Sequence, residues 1–306
     1  MAADLSALVP LFAQNIHAGR RLGDACRRGT AFIGSSHDVV LDVDALKDLA
    51  KKVRKESGGF ASGIDPVIAA QAVLSTDPVR AVHLMKVAWD VLKVKPFTTS
   101  PHLSMAAVLL AERVGLDDFG LVAQRARDFF MAQRADHSFI TSADDFVPSL
   151  LMAMTPMEVP TGAMATESVY KTVKPWFTYN GAQALAQVLV VGGAHEFDPG
   201  RLVALRNALG RAGVKVGEPS LLGLLVLVSS DHEWLSTTVA RVADELDAAK
   251  VLPGRFSKTP RHALAMALVA LAVADDALTP LVHAVVLNIV ARLVVEEQAA
   301  ASSAAM

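Results

Sequence analysis

The chain has 306 residues, of which 52% are hydrophobic but only 6% aromatic, and its mean hydropathy is +0.37. Its 29 basic and 31 acidic residues leave a net charge of −2, so there is no basic surplus to neutralise phosphates and nucleic-acid binding is not expected. A single cysteine, Cys26, excludes an internal disulfide and a cysteine-rich zinc centre.

Ala, Val and Leu carry the hydrophobicity, which points to tightly packed helices with small side chains at their contacts. Residues 1 to 28 read as a helix. Asp4 precedes its apolar stretch and the arginines follow it, the reverse of a secretory signal. Arg27 and Arg28 follow Cys26 and would favour a thiolate, but an ordinary free thiol is the preferred reading. Residues 32–43, FIGSSHDVVLDV, read as a loop or a short strand, and 43–56 as an amphipathic helix.

From Gly59 the chain repeats itself. Segments beginning GFASGIDP, KPFTTSPH, HSFITSADD, PWFTYNGA, GVKVGEPS and GRFSKTPRH each open with an apolar anchor: Phe60, Phe97, Phe139, Phe177, Val216 and Phe256. The anchors are spaced by 37, 42, 38, 39 and 40 residues, which is a structural period. Asp65-Pro66, Ser100-Pro101, Glu218-Pro219 and Thr259-Pro260 hold one phase of it, and Ser142-Ala143 and Asn180-Gly181 hold the same place in the other units. A polar residue before proline suits a helix start, with the side chain accepting orphan amides and proline at the first helical position. After each start comes an almost wholly apolar segment, such as PSLLGLLVLVSS, which a helix tolerates only when buried on all sides. An amphipathic segment follows, such as DPVRAVHLMKVAWDVLKV or DHEWLSTTVARVADELDAAK.

The expected fold is therefore all-α, made of six to seven α/α helical hairpins of about 39 residues. They would form a curved solenoid or a closed toroid, with the very apolar inner helices leaning towards the latter. Residues 1–58 are expected as atypical N-terminal helices capping the array, 59–297 as the array itself within one continuous domain, and 298–306 as a disordered tail. The last amphipathic helix is apolar at Val285, Ile289 and Val294. That face is expected to be covered by a second copy in a homodimer, by closure against the N-terminal helices, or by the tail. Most apolar runs are too short to span a bilayer, and the longest, 278–295, contains His283, Asn288 and Arg292. No membrane association is expected, and the cytoplasm is the expected location.

If the units stack in register, the first turns of the buried helices share one rim. There the candidate ligand-binding residues collect: Asp65, His102, Asp144, Asp145, Asn180, Arg261 and His262, with Gln183 and Glu218 nearby. Such a rim sets a few polar groups and helix N-termini against apolar walls, as binding sites do; helix ends that simply meet water would look the same. Asp144 and Asp145 admit two readings. Ser142-Ala143-Asp144-Asp145 resembles a capping box, and it also resembles a metal-binding or general-acid pair. The capping reading is preferred. His102 and His262 with the rim aspartates are suitable donors for a divalent ion, yet no linear spacing demands one, so no metal is assigned and the cofactor stays open. The methionine-rich MAMTPMEVPTGAM reads as core packing rather than a lip over a pocket. Trp89, Trp176 and Trp234 read as core or interface anchors. No phosphate loop, dinucleotide fingerprint or GxSxG elbow is present.

Phe-x-Thr-Ser-x-Asp-Asp at 139–145, preceded by Phe-x-x-Ser-x-x-Leu-x-x-Ala-Ala at 97–107, resembles the bacterial family called domain of unknown function 4003. The resemblance runs over roughly residues 45 to 290 and implies a helical repeat fold, with no activity attached. Helical repeats most often serve as binding scaffolds, so recognition of a protein or peptide partner is the expected role. The alternative is a small-molecule binder, or an enzyme of the α/α-toroid type, with its polar pocket at the rim.

Overall fold

In a computed structural model that describes residues 4–56, 58–194, 196–251 and 258–304, all regular structure is helical: there are fifteen α-helices and no strand among the described residues. Contacts divide the chain into two compact units. One joins Asn15–Val159 to the residues from Val286 onward, and the other joins the residues up to Gln14 to Pro160–Val285.

The first of these contains the end of α1 (Leu5–Ala18), then α2 (Asp24–Ser36), α3 (Val43–Glu56), α4 (Asp65–Val73), α5 (Pro78–Leu92), α6 (Pro101–Arg113), α7 (Phe119–Asp136) and α8 (Phe146–Ala153). The apolar segments become the inner helices. Every residue of α6 from Pro101 to Leu110 is buried, and α4 and α8 are nearly as enclosed. Helix α6 packs on both α4 and α8, while α3, α5 and α7 lie against them and bury one side each. Residues 32–43, read as a loop or strand, are the last turn of α2 followed by a loop. Asn15 ties that loop down, its amide donating to the Val39 carbonyl at 3.0 Å and its oxygen accepting from the Leu41 amide at 3.0 Å.

The second unit contains α9 (Val159–Val173), α10 (Tyr179–Val191), α11 (Pro199–Arg211), α12 (Pro219–Val228), α13 (His232–Ala248) and α14 (Lys258–Val273). Here α12 packs on α10 and α14, with α11 and α13 against them. The last helix, α15 (Thr279–Ala304), begins in this unit and continues into the first. Residues 298–304, expected to be disordered, are its final turns. Alanines sustain a helix already formed, and the Ser302 and Ser303 hydroxyls donate back to the carbonyls of Gln298 and Ala299.

Leu281, Val282, Val285, Val286, Val290 and Val294 recur every three or four residues along α15 and are buried, so its apolar stripe is covered within the chain. By length and composition α15 is the one described helix able to cross a membrane, with 50% of its most apolar window buried.

Several of the expected unit starts take a different form. Phe60 and Phe97 are buried anchors, but Phe139 is fully exposed. The core position in that unit belongs to Phe146, which stacks on Phe97 at a centroid distance of 4.4 Å and tilts against Phe130 at 5.3 Å. Phe139 lies ahead of the helix on a turn, whereas Phe146 is on the first turn of α8 itself. The second difference concerns α14: it starts at Lys258, so Thr259 sits inside its first turn, and Gly254 and Phe256 lie outside the described residues.

Candidate functional site

The starts of α4, α6 and α8 fall within one unit, where each can be compared with its expected cap. Ser100 caps α6, its hydroxyl accepting from the Leu103 amide at 3.1 Å. Ser142 and Asp145 form the expected capping box around the 3-10 turn Ala143–Asp145, the Ser142 amide donating to Asp145 Oδ2 at 2.8 Å. The Asp145 carboxylate is thus spent on its own helix start. Asp65 is not a cap. It is the first residue of α4, buried, and its carboxylate accepts from Arg54 at 2.6 Å.

His102 is buried in the first turn of α6 and meets a side chain 186 residues away: its Nδ1 lies 2.8 Å from the Asn288 oxygen. The Asn288 amide donates to the Asp144 backbone carbonyl at 2.9 Å, which fixes the orientation of the amide and so requires Nδ1 of His102 to carry the proton. Burial holds the His102 pKa below its ordinary value, against the opposing effects of the Asn288 bond and the Asp144 charge.

Two more groups of α15 attach to this unit. The Glu297 carboxylate accepts from the Ala25 amide at the start of α2 at 2.8 Å, and Gln298 donates to the Ser62 carbonyl at 3.2 Å. Gly29 of α2 makes room for Val290, since a Cβ there would stand 2.9 Å from a Val290 methyl. Cys26 is buried beside them and its thiol is pushed up to about 12, mainly by burial and then by the Asp65 and Glu297 charges. It remains a thiol at neutral pH, in keeping with the non-nucleophilic reading.

In the second unit the rim is built differently. The cap of α10 is Thr178, whose hydroxyl accepts from Gly181 at 3.3 Å; Asn180 sits exposed in the first turn. Glu218 precedes α12 without a side-chain bond to its amides, as its weak capping chemistry implies. His262 is buried, and its Nδ1 accepts from the Lys215 amide at 2.8 Å. Its proton therefore sits on Nε2, the opposite tautomer to His102. Arg261 pairs with Asp247 at 2.7 Å. Among the described residues no three His, Cys, Asp or Glu side chains are grouped to hold a metal ion. Asp65, His102, Asp145, Arg261 and His262 thus each answer to a partner in their own unit, while Asn180 is exposed.

Arginines on the outer helices were not anticipated. Arg125 of α7 donates to the carbonyls of Thr155, at 3.0 Å, and Met157, just after α8. Arg201 of α11 donates to Val226, at 3.0 Å, at the end of α12. Arg201 satisfies a carbonyl that the C-terminus of α12 leaves unpaired, and Arg125 satisfies carbonyls of the loop after α8. Arg125 also pins the methionine-rich link, in which Met152 is core and Met164 is exposed.

A concentrated aromatic surface lies in the second unit, around residues 170–179. Trp176 and Tyr179 are 36% and 59% exposed, and Phe177 is half-buried. Lys174 Nζ stands 5.0 Å from the Tyr179 ring centre and 5.8 Å from that of Tyr170. The Arg206 guanidinium lies 5.3 Å from the Phe177 ring and donates to the Trp176 carbonyl at 3.2 Å. Among the described residues neither cation pairs with a carboxylate. The signal for this surface was WFTY at 176–179, three aromatics in four positions of an aromatic-poor chain, although Phe177 read as a buried anchor and Trp176 as a core or interface residue. Trp89 is core, and Trp234 is 44% exposed.

No curated protein and no solved structure matches the chain. The Phe-x-Thr-Ser-x-Asp-Asp turn with its capping box and the preceding Ser100-capped helix both fall within residues 22–300, which match one family over nearly the whole chain: the protein belongs to DUF4003, described as protein of unknown function.

Proposed function

We propose that this protein is a helical-hairpin repeat scaffold that binds a protein or peptide partner through the surface around Trp176 and Tyr179. The alternation of enclosed helices (α4, α6, α8; α10, α12, α14) with amphipathic ones supports the repeat reading. One observation carries the binding reading: exposed tryptophan and tyrosine beside two cations that no carboxylate among the described residues neutralises. Tryptophan, tyrosine and arginine are the side chains that dominate binding energy at protein interfaces, because each presents a large rigid surface with a polar edge. Lys174 and Arg206 favour an acidic partner segment, and the aromatic faces favour an apolar side chain next to the acid.

The rim reading, a small-molecule pocket or an α/α-toroid active site, has weaker support. Asp65, His102, Asp145, Arg261 and His262 each have a partner inside the protein that accounts for their placement.

Selection of displayed peptides tests the proposal. The wild-type protein is expected to enrich acidic peptides with a common apolar position. The Trp176→Ala/Tyr179→Ala double variant, used at a temperature where its melting curve shows it folded, is expected to enrich none. Enrichment of the same peptides by both proteins, or of no common sequence by either, would overturn the reading.

A further inference from the structure

Helices α3 and α5 both pack on α4, and a groove of about 220 Å³ is left that is lined by both of them. The spacing of its lining residues shows how the sequence makes it. Leu49, Lys52 and Val53 stand at i, i+3 and i+4 of α3, and Val79, Val82, His83 and Lys86 at i, i+3, i+4 and i+7 of α5. Each set is one face of its helix. Between them the anchor Phe60, fully buried, supplies an aromatic wall.

The chemistry of the groove has one sign. Among the described residues its polar lining groups are Lys52, His83 and Lys86, and none of them is a carboxylate. Lys86 is engaged by Asp90 at 2.5 Å and stands 4.8 Å from the Trp89 ring centre. Lys52 and His83 have no hydrogen-bond or ion-pair partner among the described residues, so two donors stay available beside apolar walls. A few polar groups against an apolar wall is the ordinary composition of a small-molecule site. The space exceeds the roughly 150 Å³ cavity that admits benzene, and falls below the roughly 300 Å³ at which drug-sized pockets begin.

We propose that this groove binds a small organic anion, a carboxylate bearing a short alkyl or aryl body. The apolar body lies along Leu49, Val79 and Val82, over the buried Val53 and Phe60, and the carboxylate accepts from Lys52 Nζ and the His83 ring. The groove belongs to the α2–α8 unit and shares no residue with the aromatic surface, so its occupancy does not depend on a peptide partner.

Calorimetric titration of the full chain with octanoate, octylamine and octanol tests this. Octanoate is expected to bind saturably at one site, octanol at least tenfold more weakly, and octylamine not at all. Lys52→Glu, whose side chain is exposed at the groove edge, is expected to weaken octanoate at least tenfold with the melting temperature unchanged, and Val82→Trp, which fills the groove, to abolish binding. Lys52→Glu decides the matter alone if Val82→Trp fails to fold. Absence of saturable octanoate binding, equal binding of octylamine, or full binding by Lys52→Glu would overturn the proposal.

Discussion

Asn288 satisfies two partners with one uncharged amide, the His102 ring on α6 and the Asp144 carbonyl ahead of α8. Replacing it by leucine keeps the side-chain branching and removes both bonds, leaving a buried imidazole and a carbonyl without their partner. Asn288→Leu should lower the unfolding free energy in urea by about 1–3 kcal/mol, the cost of stranding such groups. The His102 ring also ties stability to pH, with a sign that follows from its depressed pKa. Above the free imidazole range, near pH 6.5, the ring is neutral in both folded and unfolded chains and contributes no slope. As pH falls through that range the unfolded chain takes up a proton that the folded site resists, so stability falls by up to about 1.4 kcal/mol per pH unit. A series of melts from pH 7.5 to 5 should show this slope in the wild type and a shallower one in His102→Gln. Equal slopes would show that His102 is not the group responsible.

At the scale of helices, burial rather than position in the period decides which aromatic matters. Phe146→Ala should cost about 3–5 kcal/mol, since it empties a site packed by Phe97 and Phe130. Phe139→Ser should change stability by less than about 0.5 kcal/mol, because that ring is fully exposed. Chemical denaturation of the two variants checks the pair. The contrast also marks how far the sequence could be read. Wholly apolar segments such as 219–228 announce enclosed helices, and the Ser142–Asp145 spacing announces a capping box, because both are local properties. Phe139 and Phe146 are equally apolar as letters; only the turn that ends before α8 separates them. Caps were legible as a class and misplaced in detail. Asp77, Asp198 and Asp231 cap the outer helices α5, α11 and α13, accepting from Arg80, Gly200 and Trp234. Asp65, in an identical Asp-Pro pair, instead begins α4 and is neutralised by Arg54.

For the whole molecule, five of the rim residues, Asp65, His102, Asp145, Arg261 and His262, have partners within the protein. The His102–Asn288 pair spans 186 residues and the Ala25–Glu297 contact 272, separations no local pattern reports. The residues of the aromatic surface were visible in the sequence, but their exposure was not, because apolar side chains read alike whether buried or left for a partner. The account therefore rests on recognition at Trp176 and Tyr179, with the rim serving as structure. Its most direct test is an NMR titration with a peptide from the acidic selection, following the three tryptophan indoles and the rings of His102 and His262. The account predicts that the Trp176 indole shifts saturably while Trp89 and both histidines stay in place. Movement of His102 or His262 with Trp176 unmoved would contradict it and return the binding site to the rim.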